Sequence, residues 1–128
     1  MAGKLFPLVL LPRLTTLVGA GSFETIGVDV SAFEGAIVHV KRGALRGMSP
    51  TILVAFEESD DQVVWTECDG GEEFAPSEDT ETLVDLDFAH RYLRAVVTLT
   101  GIDVAVSMFA VGHLVSRSIR RDGATVPE

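Results

Sequence analysis

Alternation with a period of two is the feature that most narrows what this chain can fold into. From Thr51 to Glu57, the side chains of Ile52, Val54 and Phe56 fall on one face and those of Thr51, Ala55 and Glu57 on the other. That is the pattern of an antiparallel strand with one side on a core and the other in solvent. The same reading sets Ala36, Val38 and Val40 against His39 and Lys41, and Leu93, Ala95, Val97 and Leu99 against Tyr92, Arg94, Val96 and Thr98. Between such runs, glycines and prolines recur at a spacing of roughly eight to twelve residues, the punctuation of an all-β chain. Helical periodicity is hard to find.

The connections follow from the same logic. Glu58-Ser59-Asp60-Asp61 predicts a turn returning the chain into a strand Val63-Val64-Trp65-Thr66, with Trp65 on the core face beside Val63. Arg42 to Pro50 reads as a connecting loop, Asp69 to Thr80 as a long acidic loop, and Thr82 to Leu86 as a short strand. A turn at Gly101-Ile102-Asp103 leads into Val104–Val111, which is apolar on both faces and therefore expected at the centre of a sheet. The expected fold is all-β: a single antiparallel β-sandwich of about seven or eight strands with a jelly-roll or Greek-key path. The sandwich is expected over residues 19–115. Residues 1–18 form an apolar N-terminal arm or edge strand, and 116–128 a basic C-terminal tail, both extending from it. An apolar arm needs cover from its own sheet or a neighbour.

Charge separates the function classes. Of 19 acidic residues, 13 lie between Gly47 and His90, where no Lys or Arg occurs, and the net charge is −9. Such a domain repels phosphate backbones, so nucleic acid is not expected as a partner. No stretch reaches the ~20 apolar residues that span a bilayer, and no membrane partner is expected. The run Leu5 to Leu11 superficially resembles a signal-peptide core, but Pro7, Pro12 and Arg13 interrupt it, so secretion is not expected. One cysteine, Cys68, excludes an internal disulfide, and its acidic neighbours Glu67 and Asp69 disfavour a reactive thiolate.

No catalytic constellation stands out. His39, His90 and His113 have no nucleophile elbow to serve and stand at no metal-ligand spacing. The acids Asp60, Asp61, Asp69, Glu72 and Glu73 are the types a Ca²⁺ site uses, but they match no EF-hand loop and read as a solvated rim. Carboxylates on an exposed loop lack the apolar pocket that glycoside hydrolysis requires of its acid. No cofactor or metal is expected and no enzyme. Candidate interface residues are Leu5, Phe6, Leu8, Leu10 and Leu11 on the apolar arm, Tyr92 and Arg94 on a strand, and Arg117, Arg120 and Arg121 in the basic tail.

Several segments in order resemble a group of small virion proteins of tailed bacteriophages and phage-like particles. They are Val28-Asp29-Val30-Ser31-Ala32-Phe33, the Ala36–Val40 strand, Ser49-Pro50-Thr51, the acidic turn before Trp65-Thr66, Arg91-Tyr92-Leu93-Arg94 and the closing apolar strand to Val115. The resemblance runs from about Lys4 to Val115. It implies a non-enzymatic structural protein, first of all a capsid decoration (cement) subunit made in the host cytoplasm and seated on the capsid surface of the virion. Its implied partners are the major capsid protein or other virion subunits, with homo-oligomerisation, for instance as a trimer, covering the apolar arm. A tail or fibre-base subunit is the competing expectation within that class. A carbohydrate-binding or adhesive module using Trp65, Tyr92 and the acids is the expectation from another.

Overall fold

A computed structural model describes residues 5–116. Among them there is no helix. Eight strands form one antiparallel sheet: β1 (Leu5–Val18), β2 (Gly21–Glu24), β3 (Val28–Asp29), β4 (Phe33–Arg42), β5 (Arg46–Ser59), β6 (Thr66–Glu67), β7 (Thr82–Asp87) and β8 (Tyr92–Ser116). The 25-residue β8 is the spine. Along one side of it run β1, β2 and β3 in succession, from Leu5 opposite Val115 to Asp29 opposite Tyr92. Along the other run β4 and β5, from Phe33 opposite Ser116 to Ser59 opposite Tyr92. β7 extends the β4 side and β6 the β5 side.

Simple lengths show that this sheet folds over on itself. A straight strand of this many residues would measure about 80 Å. Yet Asp29 pairs with the first residue of β8 and Phe33 with the last. The four peptide steps between them span at most about 14 Å. The fold in β8 lies at Gly101 and Asp103, which have φ of 124° and 53°. A Cβ on Gly101 would stand 3.0 Å from the Met48 oxygen, so glycine serves this corner in both conformation and space. The inward-facing residues change phase across it, from Leu93, Ala95, Val97 and Leu99 to Val104, Val106, Met108 and Ala110. The two halves of the curled sheet enclose one core, to which Leu8, Leu10, Leu11, Val30, Val38, Val40, Val54, Phe56, Val84 and Leu86 also contribute.

The alternations read at 36–40, 52–56 and 93–99 all point inward as expected. The description this supports is the coarser one: an antiparallel, strongly curled all-β sheet. Other expectations are corrected. Val104–Val115 is no separate strand after a turn, because β8 runs through the corner without interruption. Arg46 to Pro50 belongs to β5 as a bulged start, not to a loop. Val63 and Val64 are exposed and outside any strand, since only Thr66 and Glu67 pair with β5. Trp65 is half-buried rather than in the core. Residues 5–18, expected as an arm or an edge strand, form strand β1, which pairs with β8 with two register shifts.

Candidate interaction surface

The curled sheet has two long sides, and the sequence treats them differently. On the β5/β7 side the acidic segment after β6 closes the gap between the two halves. Phe74 and Val54 exchange backbone hydrogen bonds of 2.9 and 2.8 Å, and Phe56 N–H donates to the Gly71 oxygen at 2.9 Å. Asp87 N–H donates to the Asp69 oxygen at 3.1 Å, and Arg42 Nε to the Pro76 oxygen at 2.9 Å. A Cβ on Gly71 would stand 2.8 Å from the Phe56 Cβ, so glycine permits this close approach. Cys68 lies beneath the segment, its thiol donating to the Asp87 oxygen at 3.3 Å. Burial, with the nearby Glu58 carboxylate, pushes that thiol up to about 12, so it is not a nucleophile at neutral pH.

Two acids of the expected solvated rim, Asp60 and Asp61, have local hydrogen-bonding roles. Asp61 Oδ1 accepts from the N–H groups of Val63 and Val64 at 2.8 and 3.0 Å, which holds its carboxyl below the usual range. Asp60 Oδ2 lies 2.9 Å from His90 Nδ1, which lowers the aspartate and raises the histidine. The buried Glu58 accepts from the N–H groups of Ala89 and His90 at 2.9 and 3.2 Å. Among the described residues no three His, Cys, Asp or Glu side chains are placed to hold a metal ion. His39 is hydrogen-bonded to Glu81, and its ring lies 6.5 Å from that of His113.

The residues singled out from sequence are scattered by the fold. Leu8, Leu10 and Leu11, exposed by only 3, 7 and 9 %, contribute to the chain's own core, and Leu10 and Leu11 also reach the wall of the groove described below. Phe6 is exposed on one side and packs edge-on against Phe33 at 5.3 Å. Leu5 contributes backbone pairing with Val115. Tyr92 is half-buried under the Arg91 guanidinium, 5.2 Å from its ring. Arg94 has an 18 % exposed side chain and is satisfied internally. Its Nε and Nη2 donate to Glu57 at 2.9 and 2.7 Å, and its guanidinium lies 4.2 Å over Trp65. Arg117, Arg120 and Arg121 lie outside the described residues.

Sequence reasoning missed the other long side. Here β1 and β2–β3 form facing lips, no described residue crosses them, and a groove of about 640 Å³ opens between. Its walls include Val9, Leu11, Leu17, Phe23, Ile26 and Val28. Ile26 is 89 % exposed, and Val9 is also exposed along this groove. The available signal was the cluster Phe23, Ile26 and Val28 between Gly21 and Asp29, three apolar residues in no strand-like alternation.

No family model matches the chain, and no curated protein does. Among solved structures, a chain in the structure of infectious bursal disease virus, Gx strain, has a similar fold. Its TM-score is 0.53 at 6 % sequence identity, over 91 % of this chain. The chain spans about a third (32 %) of the length of that neighbour. The likeness is one of fold.

Proposed function

We propose that this chain is a non-enzymatic structural subunit of a virion, most specifically a capsid decoration protein that stabilises a phage-like shell. The observation that carries the reading is the viral fold neighbour matched over nearly the whole chain. A rigid curled sheet with one long apolar side fits attachment by shape better than catalysis. Buried Cys68 and the internally bonded histidines support the same reading. The partners would be the major capsid protein or other virion subunits, at the capsid surface, with copies associating as a homo-oligomer such as a trimer. A standard-size contact buries on the order of 1,600 Å², and repetition over a symmetric shell makes attachment multivalent. Phe6, Tyr92 and the basic residues Arg117, Arg120 and Arg121 are the proposed contacts. The acidic segment 67–87 would face solvent, where like charge keeps particles apart.

Particles purified from the native source on a density gradient and quantified by mass spectrometry test this. A fixed ratio of this chain to the main shell subunit is expected. Its absence from intact particles overturns the proposal.

A carbohydrate-binding module is the second reading, favoured by one observation: Trp65 is half-buried rather than in the core. The Arg94 guanidinium already occupies one side of its ring. A change of Trp65 fluorescence on glycan addition would move the balance to this reading, and silence would remove it.

A further inference from the structure

We infer that the outer face of β8 from Ala105 to His113, with its flanks on β1 and β4, is a docking strip for an acidic, extended segment of a partner protein. The inference goes beyond the virion reading and does not depend on it.

Strand alternation builds the strip. In this half of β8 Val104, Val106, Met108 and Ala110 are buried, so Ala105, Ser107, Phe109, Val111 and His113 face outward. Register brings Thr16 beside Ser107 and Val9 beside Val111 from β1. From β4 it brings Lys41 beside Phe109 and His39 beside Val111. Arg46, at the bulged start of β5, pairs with Ala105. At the other end a cavity of about 500 Å³ has Arg13, His39 and His113 in its wall. The run from Ala105 to His113 measures about 26 Å.

Charge is the second reason. Among the described Lys and Arg side chains, Arg91 and Arg94 are ion-paired with Asp29, Glu24 and Glu57. Arg42 donates to the oxygens of Pro76 and Gly43. The others, Arg13, Lys41 and Arg46, are in no ion pair among the described residues, and all three border this strip. Acids flank it beyond β4. Glu81 is hydrogen-bonded to His39, and the charges of Lys41 and Arg13 help to lower its carboxyl. Asp79 borders Lys41, and Asp85 lies across from Ile37.

A carboxylate-bearing polypeptide is the polyanion that fits. Val9 and Val111 interleave with the basic groups, the mixture of a protein contact. The Arg13 guanidinium lies 4.3 Å over the Phe109 ring, so that ring is no stacking platform for bases. A net charge of −9 repels a long phosphate backbone. Arg46, then Lys41 with Arg13, then His39 with His113 follow one another at steps of roughly 13 Å along β8. An extended segment with carboxylates at that spacing meets each in turn.

Fluorescence anisotropy of a fluorescein-labelled oligoglutamate peptide, titrated with the full chain at low salt, tests the inference. Saturable binding is expected. Arg13→Gln should raise Kd roughly threefold, and Arg13→Gln with Lys41→Gln roughly tenfold, as for the loss of exposed ion pairs. The double variant should also show a shallower salt dependence. Arg91→Gln is the control, because it makes the same change in net charge at an exposed arginine paired with Asp29 at the far end of β8. Its Kd should stay near wild type. No binding by wild type, or equal effects of Arg13→Gln and Arg91→Gln, overturns the inference. Tighter binding of an oligothymidylate of equal charge, weakened by the same strip substitutions, also overturns it and assigns the strip to nucleic acid.

Discussion

The two long sides of this curled sheet solve the same problem by opposite means. Both must cover the gap where the outer strands of the two halves face each other. On the β5/β7 side a segment of the same chain does so, with Phe74 bonded to β5, Asp69 to Asp87, and Cys68 beneath. On the β1/β2–β3 side the described residues leave an apolar groove with Ile26 and Val9 in the open. The covered side also carries the acids, and the open side carries few. A polar rim over a sealed gap repels neighbours, whereas an apolar gap attracts cover. The asymmetry is one of cover: among the described residues a polar segment lies across one side and apolar side chains lie open on the other.

Substitutions on the two sides should therefore differ in stability cost. The largest effect is expected for Phe56→Ala on the closed side, where the ring is fully buried and its backbone holds Gly71 and Cys68. Such a truncation costs about 3–5 kcal/mol. Phe23→Ala, at the half-buried open side, should cost roughly 1 kcal/mol, about half the value of burying such a ring fully. Urea denaturation of both variants checks the ratio, and equal losses would break the comparison. Gly71→Ala comes next at about 1–3 kcal/mol, because its new Cβ would press on Phe56 Cβ and the Phe56 oxygen at 2.8 and 2.9 Å. Gly43→Ala meets only the Ser107 oxygen at 3.7 Å and should lie within about 0.5 kcal/mol of wild type.

How much of this was legible in the sequence depends on the range of the interaction. Period-two alternation is set by burial of one strand face, so Ile52, Val54, Phe56 and Leu93 to Leu99 could be read from their neighbours alone. The corner at Gly101 was legible as a break but not as a fold within one strand. Whether β8 ends or bends there depends on pairing with β1, β4 and β5, contacts distant in sequence. Trp65 was misplaced for a similar reason. The turn held by Ser59 and Asp61 extends through Val64, so the strand begins only at Thr66 and the indole sits under Arg94. The apolar arm was legible as needing cover from its own sheet or a neighbour; that β8 and its own core supply it for Leu8, Leu10 and Leu11 depends on pairing distant in sequence. The groove was illegible because its lips come together only once the sheet has curled.

On the open side, Ile26→Glu should alter stability by no more than about 0.5 kcal/mol, since the side chain is almost fully exposed. Thermal denaturation checks this. A loss as large as that of Phe23→Ala would mean that the groove is already sealed by something packed on Ile26, and the contrast between the sides would narrow.

The smallest effect concerns the link 88–91, where the closed side passes into β8. His90 is raised above its ordinary value by the Asp60 carboxylate, and Asp60 is lowered by His90. A raised histidine adds stability that is fully present below its unfolded value near 6.5 and fades as pH climbs through the higher folded one. A lowered aspartate adds stability that is present above its unfolded value near 3.8 and fades as pH falls through the lower folded one. The pair should therefore help most between about pH 4 and 6.5. Both groups are solvent-exposed, so screening keeps the effect small. Denaturation midpoints of wild type and His90→Gln, measured from pH 4 to 9, should differ most at the acidic end and converge above the histidine's folded value. A gap that persists unchanged at pH 9 would place the role of His90 in packing rather than charge, and would make this link a structural part of the sealed side.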